Sequence, residues 1–288
     1  MTSQTGSTSL KLKLHPTDWT VVLYNLSLIP LILTAKNKLD NWDYFTASHF
    51  IIILLVLFIS WNNRIKETRF NQWVKLWYPL ILILWFYPES GLLRHIIFPR
   101  DFDPELLIME TELFPQRYYF TVPLSLSVFT LEFFHAAYFS FYLILWVPAM
   151  VAYRKQRPLV SEYIFVMMVV MFVQFWLTIV FPASGPVPLR AQVIPEGIFF
   201  IPLMNLIYTV GETGGSAFPS THAAAAVVAT AYGCKMFPRA SRPIILWLFL
   251  ILISTVVCTF HYTIDTIAGA FSGTLCLLVS KKLYEKIS

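Results

Sequence analysis

The sequence predicts an all-α fold, a polytopic membrane bundle of about eight transmembrane helices, and three observations carry that reading. Of the 288 residues, 57% are hydrophobic and only 13% charged, with a mean hydropathy of +0.64. So much apolar surface does not fit inside one water-soluble core. Eight apolar stretches approach the roughly 20 residues that a helix needs to cross about 30 Å of hydrocarbon. No apolar–polar alternation recurs, as a membrane barrel would require.

Residues 1–16 are polar and carry Lys11 and Lys13. The run after them, 18–35, is followed by no small-residue cleavage site and reads as a retained helix, not a signal peptide. Further spans fall at 46–62, 73–88, 131–152, 162–182, 219–236, 243–260 and 263–280. Two long stretches separate them, 89–122 and 183–218, and within the second, 198–210 mixes aromatic and aliphatic residues around Asn205. That pattern predicts a short helix lying at the membrane surface. No repeat, low-complexity tract or second soluble domain interrupts the pattern.

Placing the N-terminus in the cytoplasm puts 15 of the 21 Lys and Arg residues on that side. They are Lys11 and Lys13; Arg64, Lys66, Arg69 and Lys75; Arg154, Lys155 and Arg157; Lys235, Arg239 and Arg242; and Lys281, Lys282 and Lys286. Lys36, Lys38, Arg94, Arg100, Arg117 and Arg190 fall on the other side. The positive-inside bias therefore predicts cytoplasmic termini. The net charge of +5 is a topology signal and no footprint of nucleic acid. Cys234, Cys258 and Cys276 lie in or beside apolar segments without C-x-x-C spacing, and read as packing residues.

The segment Gly214-Gly215-Ser216-Ala217-Phe218-Pro219-Ser220-Thr221-His222 opens a span that descends from the outer side. The next span climbs back to end near Phe260, and His261-Tyr262-Thr263-Ile264-Asp265 follows. His222 and His261 thus reach the same outer level. Two histidines and a carboxylate there suit phosphoryl transfer, which needs an in-line nucleophile, neutralised oxygens and a proton for the leaving oxygen. His261 is the candidate nucleophile. Asp265, one helical turn later, is placed to bond the distal ring N–H and fix the tautomer. His222 is the candidate general acid and then general base. Gly215, Ser216, Ser220 and Thr221, at a helix N-terminus, offer an anion cradle, with Pro219 expected as the first helical residue. Each residue also has a plainer reading: histidines as caps, serines as N-caps, Gly214 and Gly215 as turn formers. The shared face favours the chemical reading.

These residues resemble the type-2 phosphatidic acid phosphatase superfamily. Its second motif, Ser-Gly-x-x-Phe-Pro-Ser-x-His, fits through His222, with Thr221 where a glycine is usual. Its third, Ser-Arg-x5-His-x3-Asp, fits at Ser254, His261 and Asp265, followed by Gly269, with Thr255 in place of the arginine. Its first, Lys-x6-Arg-Pro, has no counterpart: Lys155-Gln156-Arg157-Pro158 has the wrong spacing and lies on the inner side. The stretches 181–190 (Phe-Pro-Ala-Ser-Gly-Pro-Val-Pro-Leu-Arg) and 136–142 (Ala-Ala-Tyr-Phe-Ser-Phe-Tyr) look like the inositol-phosphorylceramide synthase (inositolphosphotransferase) branch, and 261–265 is also similar to the sphingomyelin synthases. The resemblance covers about 101–280.

It implies a six-helix-type phosphatase core, with accessory transmembrane helices over 1–90 and a catalytic domain over 91–288. It implies a lipid phosphate substrate, a phosphohistidine intermediate, an extracytoplasmic site and neither cofactor nor metal. Water as acceptor makes a phosphatase; a ceramide or diacylglycerol makes a transferase. A transporter or scaffold is the non-enzymatic alternative for charged intramembrane residues. With the usual Lys and Arg missing, Arg190 is the expected phosphate holder, since its planar fork can grip two oxygens. Arg94 and Arg100, also outward, are helpers. His49 and His135 read as satisfied side chains near the outer boundary, and Glu132 as a residue near a lipid entrance. Asp101, Asp103 and Glu105 lack the glycine and bidentate closing residue of a calcium loop and read as a solvated outer loop.

Overall fold

The computed structural model describes residues 14–211 and 214–288, so Lys11 and Lys13 lie outside the described residues. The described residues form thirteen α-helices and no strand. The first three expected spans are α1 (Pro16–Thr34), α2 (Trp42–Ile65) and α3 (Arg69–Leu92), and α4 (Asp103–Leu113) and α5 (Tyr118–Leu124) fill the stretch after them. The fourth span is broken into α6 (Val128–Ile144) and α7 (Val147–Ala152). Pro148, the second residue of α7, has no N–H with which to continue the ladder to Ile144. Then come α8 (Arg157–Val180), α9 (Arg190–Val193), α10 (Phe200–Gly211), α11 (Thr221–Met236), α12 (Ser241–Val257) and α13 (Thr263–Ile287). The amphipathic stretch around Asn205 is thus a helix, α10.

Five segments are long and apolar enough to cross a membrane: α1, α2, α8, the stretch Pro238–Val257 that contains α12, and α13. The other expected spans, over α3, α6 with α7, and α11, are helical as well but fall short of that length or apolarity. α6 and α11 have only 17 and 16 residues. α11 is alanine-rich, with Ala223, Ala224, Ala225 and Ala226 all buried, and a helix wrapped by other helices needs no lipid-facing apolar coat.

Around α11 pack α8, α12 and α13; α3 leans on α8, and α6 on α10 and α12. The α11–α13 seam is made by absent side chains. A Cβ on Gly273 would sit 2.6 Å from Ala224 Cα, and one on Gly269 would overlap the Ser220 carbonyl. Such small-x-x-x-small spacing is how membrane helices bring their backbones together.

The N-terminal helices hold buried polar groups of their own. Asp18 accepts hydrogen bonds from Tyr78 Oη (2.7 Å) and Ser60 Oγ (2.9 Å), tying α1, α2 and α3. His49 Nδ1 lies 2.7 Å from Asn25 Oδ1, and its Nε2 is 3.7 Å from Glu89 Oε1. The three cysteines are free.

Candidate active site

Where α3 ends and α11 and α13 begin, two loops meet. Ala183 N donates to Gly215 O (3.2 Å) and Ala217 N to Ala183 O (2.9 Å), a single parallel bridge. Gly214 and Gly215 have φ of +79° and +81°, a region open mainly to glycine. A Cβ on Gly215 would also overlap the Arg94 side chain.

The 182–186 loop is held by the acidic residues expected to be solvated. Asp103 accepts from the amides of Ser184 (2.8 Å) and Gly185 (2.7 Å), and Asp101 from Ser184 Oγ (2.5 Å). Their half-burial corrects that expectation: they are struts. Burial raises the Asp103 carboxyl above its ordinary range despite the two amides. At Asp101 burial pushes the same way, but Ser184, His95 and Arg94 outweigh it and hold the group low. Glu105 instead pairs with Arg100 at 2.6 Å on the surface, which turns Arg100 away from the loops.

Each functional helix start is locally specified. Ser220 is the N-cap of α11, its Oγ accepting from Ala223 N at 3.3 Å. Pro219 therefore precedes the cap and is not the first helical residue. Ser220 N donates to Asp265 O at 3.0 Å, pinning the start of α11 to α13. At α13, Asp265 Oδ2 accepts from Tyr262 N (2.8 Å), while buried Glu110 of α4 accepts from Thr263 N (3.0 Å) and Ile264 N (2.9 Å). These are amides that a helix leaves unpaired. His261 consequently stands before the helix instead of one turn back along it.

The two histidines meet, with ring centroids 5.8 Å apart at 59°. His261 Nδ1 lies 3.0 Å from the Ala217 carbonyl. A carbonyl only accepts, so Nδ1 carries the proton and Nε2 the lone pair. Nε2 has no hydrogen-bond partner. Asp265 Oδ2 is 3.8 Å from Nδ1, beyond a hydrogen bond, so the orienting role expected of Asp265 falls to Ala217 O. Asp265 remains wholly buried beside the ring, and its Oδ1 has no partner. His222 is enclosed by aromatic rings: Phe141 at 4.7 Å, Tyr138 at 4.9 Å, and Tyr87 and Tyr142 at 6.2 Å. Thr221 Oγ1, next to it, is buried without a partner.

A cavity of about 140 Å³ opens onto His261 and is lined by Ser184, Gly214, Gly215, Ser216 and Tyr87. Arg94 lies against the glycine pair, with Nη1 3.4 Å from where a Gly214 Cβ would be. Neither Arg94 nor Arg190 is among the residues that line this cavity, but Arg94 lies directly behind its glycine pair and Arg190 does not. Arg190 is buried, donates to Cys258 O and to Asn205 Oδ1 (2.9 Å), lies 3.3 Å from His135 Nε2, and packs 3.9 Å over Phe260. Burial pulls its guanidinium below the usual range. His135 is satisfied, with Nδ1 2.7 Å from Leu131 O. Glu132 caps α10 by accepting from the amides of Ile198, Phe199 (3.0 Å) and Phe200 (2.6 Å). Among the described residues no three His, Cys, Asp or Glu side chains converge as metal ligands.

Tyr87 is the residue that sequence reasoning missed here, and Arg94, expected only as a helper, stands nearer the glycine pair than Arg190 does. The two carry the seven-residue spacing of Lys-x6-Arg-Pro with tyrosine where the lysine belongs and His95 where the proline belongs, so only a search that released both would have found them.

Fold and site together define a multi-pass, all-helical membrane protein with two neighbouring histidines, one of them lining a cavity beside a glycine turn. The chain belongs to the PAP2 superfamily, whose model matches residues 105–279, more than half its length. Phosphatase-type chemistry, the hydrolysis or transfer of phosphoesters, is the activity of that class. Comparison with curated proteins and with solved structures gave no match.

Proposed function

We propose that the protein cleaves a lipid phosphoester through a phosphohistidine on His261, at the extracytoplasmic face, as a phosphatase or phosphotransferase. The observation that carries this reading is the unbonded Nε2 of His261, a residue that lines a cavity together with Gly214, Gly215 and Ser216, with the tautomer set by Ala217 O. In the first step the Nε2 lone pair forms an N–P bond, the ester P–O bond breaks, and the departing oxygen takes a proton from His222. In the second, His222 accepts a proton from water or an alcohol, whose oxygen attacks phosphorus and breaks the N–P bond. Arg94, beside Gly214 and Gly215, takes the phosphate oxygens in place of Arg190, with Ser216 completing the cradle, while Ser220 caps α11 and Thr221 faces the neighbouring cavity. Arg190 positions the 181–190 loop against Cys258, Asn205 and His135. Residues 91–288 form the catalytic domain, to which the accessory helices of 1–90 lend Tyr87.

The transferase reading, as in the inositol-phosphorylceramide synthase branch, draws support from the aromatic wall that 136–142 builds around His222. Excluding water there favours an alcohol acceptor. Purified full-length protein given phosphatidate or a phosphodiester lipid, with and without ceramide or diacylglycerol, separates the outcomes. Free phosphate alone supports the phosphatase, and a new phospholipid supports the transferase. No product from any lipid phosphate, with folding intact, sinks both.

A further inference from the structure

A second cavity, of about 230 Å³, reaches His222 from the other side of the site. Tyr87 and Tyr208 line both cavities and form the partition between them. The two chambers differ in lining. The one at His261 combines Ser184, Gly214, Gly215 and Ser216 with Val187, Pro188 and Phe260. The one at His222 is walled by aliphatic and aromatic side chains of α3, α6, α8 and α10, with Thr221 and His222 its polar exceptions beside tyrosine and tryptophan edges. Its inner wall is closed by Leu80, Phe141 and Met171, each no more than 4% exposed. Its rim includes Leu84, 70% exposed on the outer face of α3, and Gly211 at the end of α10. Leu84 belongs to a helix flanked by membrane spans, so the mouth faces sideways, toward hydrocarbon.

We infer that this chamber holds one hydrocarbon chain of the leaving lipid alcohol, and that α3, which lies outside the matched segment 105–279, is its selecting wall. The inference rests on the proposed function and adds the direction of the substrate. The phosphate sits with His261 and Arg94, the ester oxygen passes between Tyr87 and Tyr208, and the chain runs past His222 toward Leu84. The side of the ester that departs is then the apolar side, and its oxygen emerges where His222 stands to protonate it. Apart from Thr221 and His222 at the end next to the reacting ester, an apolar chain meets apolar side chains there, whereas a polyol head group would leave most of its hydroxyls unpaired.

The probe is a long-chain alkyl phosphate carrying a diazirine at the chain terminus, photolysed with the full-length protein in nanodiscs. Labelling is expected on peptides spanning 80–88 and 141–146, and competed by unlabelled alkyl phosphate of similar length. Gly211→Trp tests the mouth, because Gly211 lines the chamber and an added Cβ there meets no described atom within 4 Å, with an unchanged unfolding midpoint in detergent as the control for folding. Label at 80–88 and 141–146 should fall at least fivefold in that variant. With wild-type protein, kcat/KM for monomeric alkyl phosphates should rise with length, by at most about fourfold per methylene, and then level off when the chamber is full. Label scattered over α2 or α13, or labelling indifferent to Gly211→Trp, overturns the inference. Because labelling does not require turnover, cavity labelling without any phosphate release would sink the proposed function and leave standing only the chamber's occupancy by a hydrocarbon chain, whereas phosphate release without cavity labelling would overturn this inference alone.

Discussion

Two histidine–carboxylate pairs lie inside this bundle at nearly equal spacing, and comparing them shows what makes a site. His49 Nε2 is 3.7 Å from Glu89, and His261 Nδ1 is 3.8 Å from Asp265; all four residues are buried. At His49 the bonded nitrogen faces Asn25, and the residue lines neither of the two cavities at the candidate site. At His261 the bonded nitrogen faces a main-chain carbonyl, the residue lines a cavity with Gly214 and Gly215, and a second histidine stands 5.8 Å away. A pair of titratable groups is therefore not itself the signature. Access and a place for an anion are.

Mutations sharpen that contrast. His261→Ala should lower turnover by roughly 10⁴-fold or more and abolish acid-labile phosphoenzyme, as loss of a nucleophile does. Labelled substrate followed by gel analysis under alkaline conditions reads both. His222→Ala should cost about 10²- to 10⁴-fold, yet still trap phosphoenzyme from a substrate with a good leaving group; phosphate found on residue 222 in the wild type would reverse the two roles. Arg94→Ala is expected to cost about 10²-fold in kcat/KM, with Arg94→Lys recovering part, while an unaltered rate would return the phosphate to Arg190. Asp265→Asn should cost only about tenfold, because Ala217 O already sets the His261 tautomer; a 10⁴-fold loss, as when a triad carboxylate is removed, would show that the ring depends on Asp265. At the other pair, Asn25→Ala should leave turnover per folded molecule unchanged and cost about 1–3 kcal/mol of stability, read from the unfolding midpoint in detergent, by stranding His49 Nδ1.

What was legible in the sequence was what composition and short-range order carry. Apolar runs located the helices, and the spacing within 214–222 and 261–265 brought out both histidines. Topology then put them at one level, since alternating spans leave little freedom. What escaped was contact made across long separations. Nothing around Glu110 announces that it caps α13 across 153 and 154 residues, or around Asp103 that it holds Ser184 and Gly185. Arg190 was expected at the phosphate because it closes a motif-like segment, but a neighbouring turn and helix start aim it at Cys258 O. Arg94 was within reach as an outward helper, but ranks behind Arg190 in the sequence because no lysine stands seven residues before it and no proline follows it. The break at Pro148 shows the opposite case, a local rule that was visible and outvoted by the length of the apolar run.

The seam between α11 and α13 has a consequence for how the chain tolerates change. Gly269 and Gly273 touch neither histidine, yet each abuts main-chain atoms of the helix that carries His222, and main chain does not step aside as a flexible side chain does. An alanine at 269 would wedge apart the Ser220 and Asp265 peptides, pulling one half of the reaction centre from the other. In an unbiased mutational screen these two positions should therefore score like catalytic residues while protein abundance stays normal, and a map of intolerance would draw the chemistry one helical turn deeper into the bilayer than it lies.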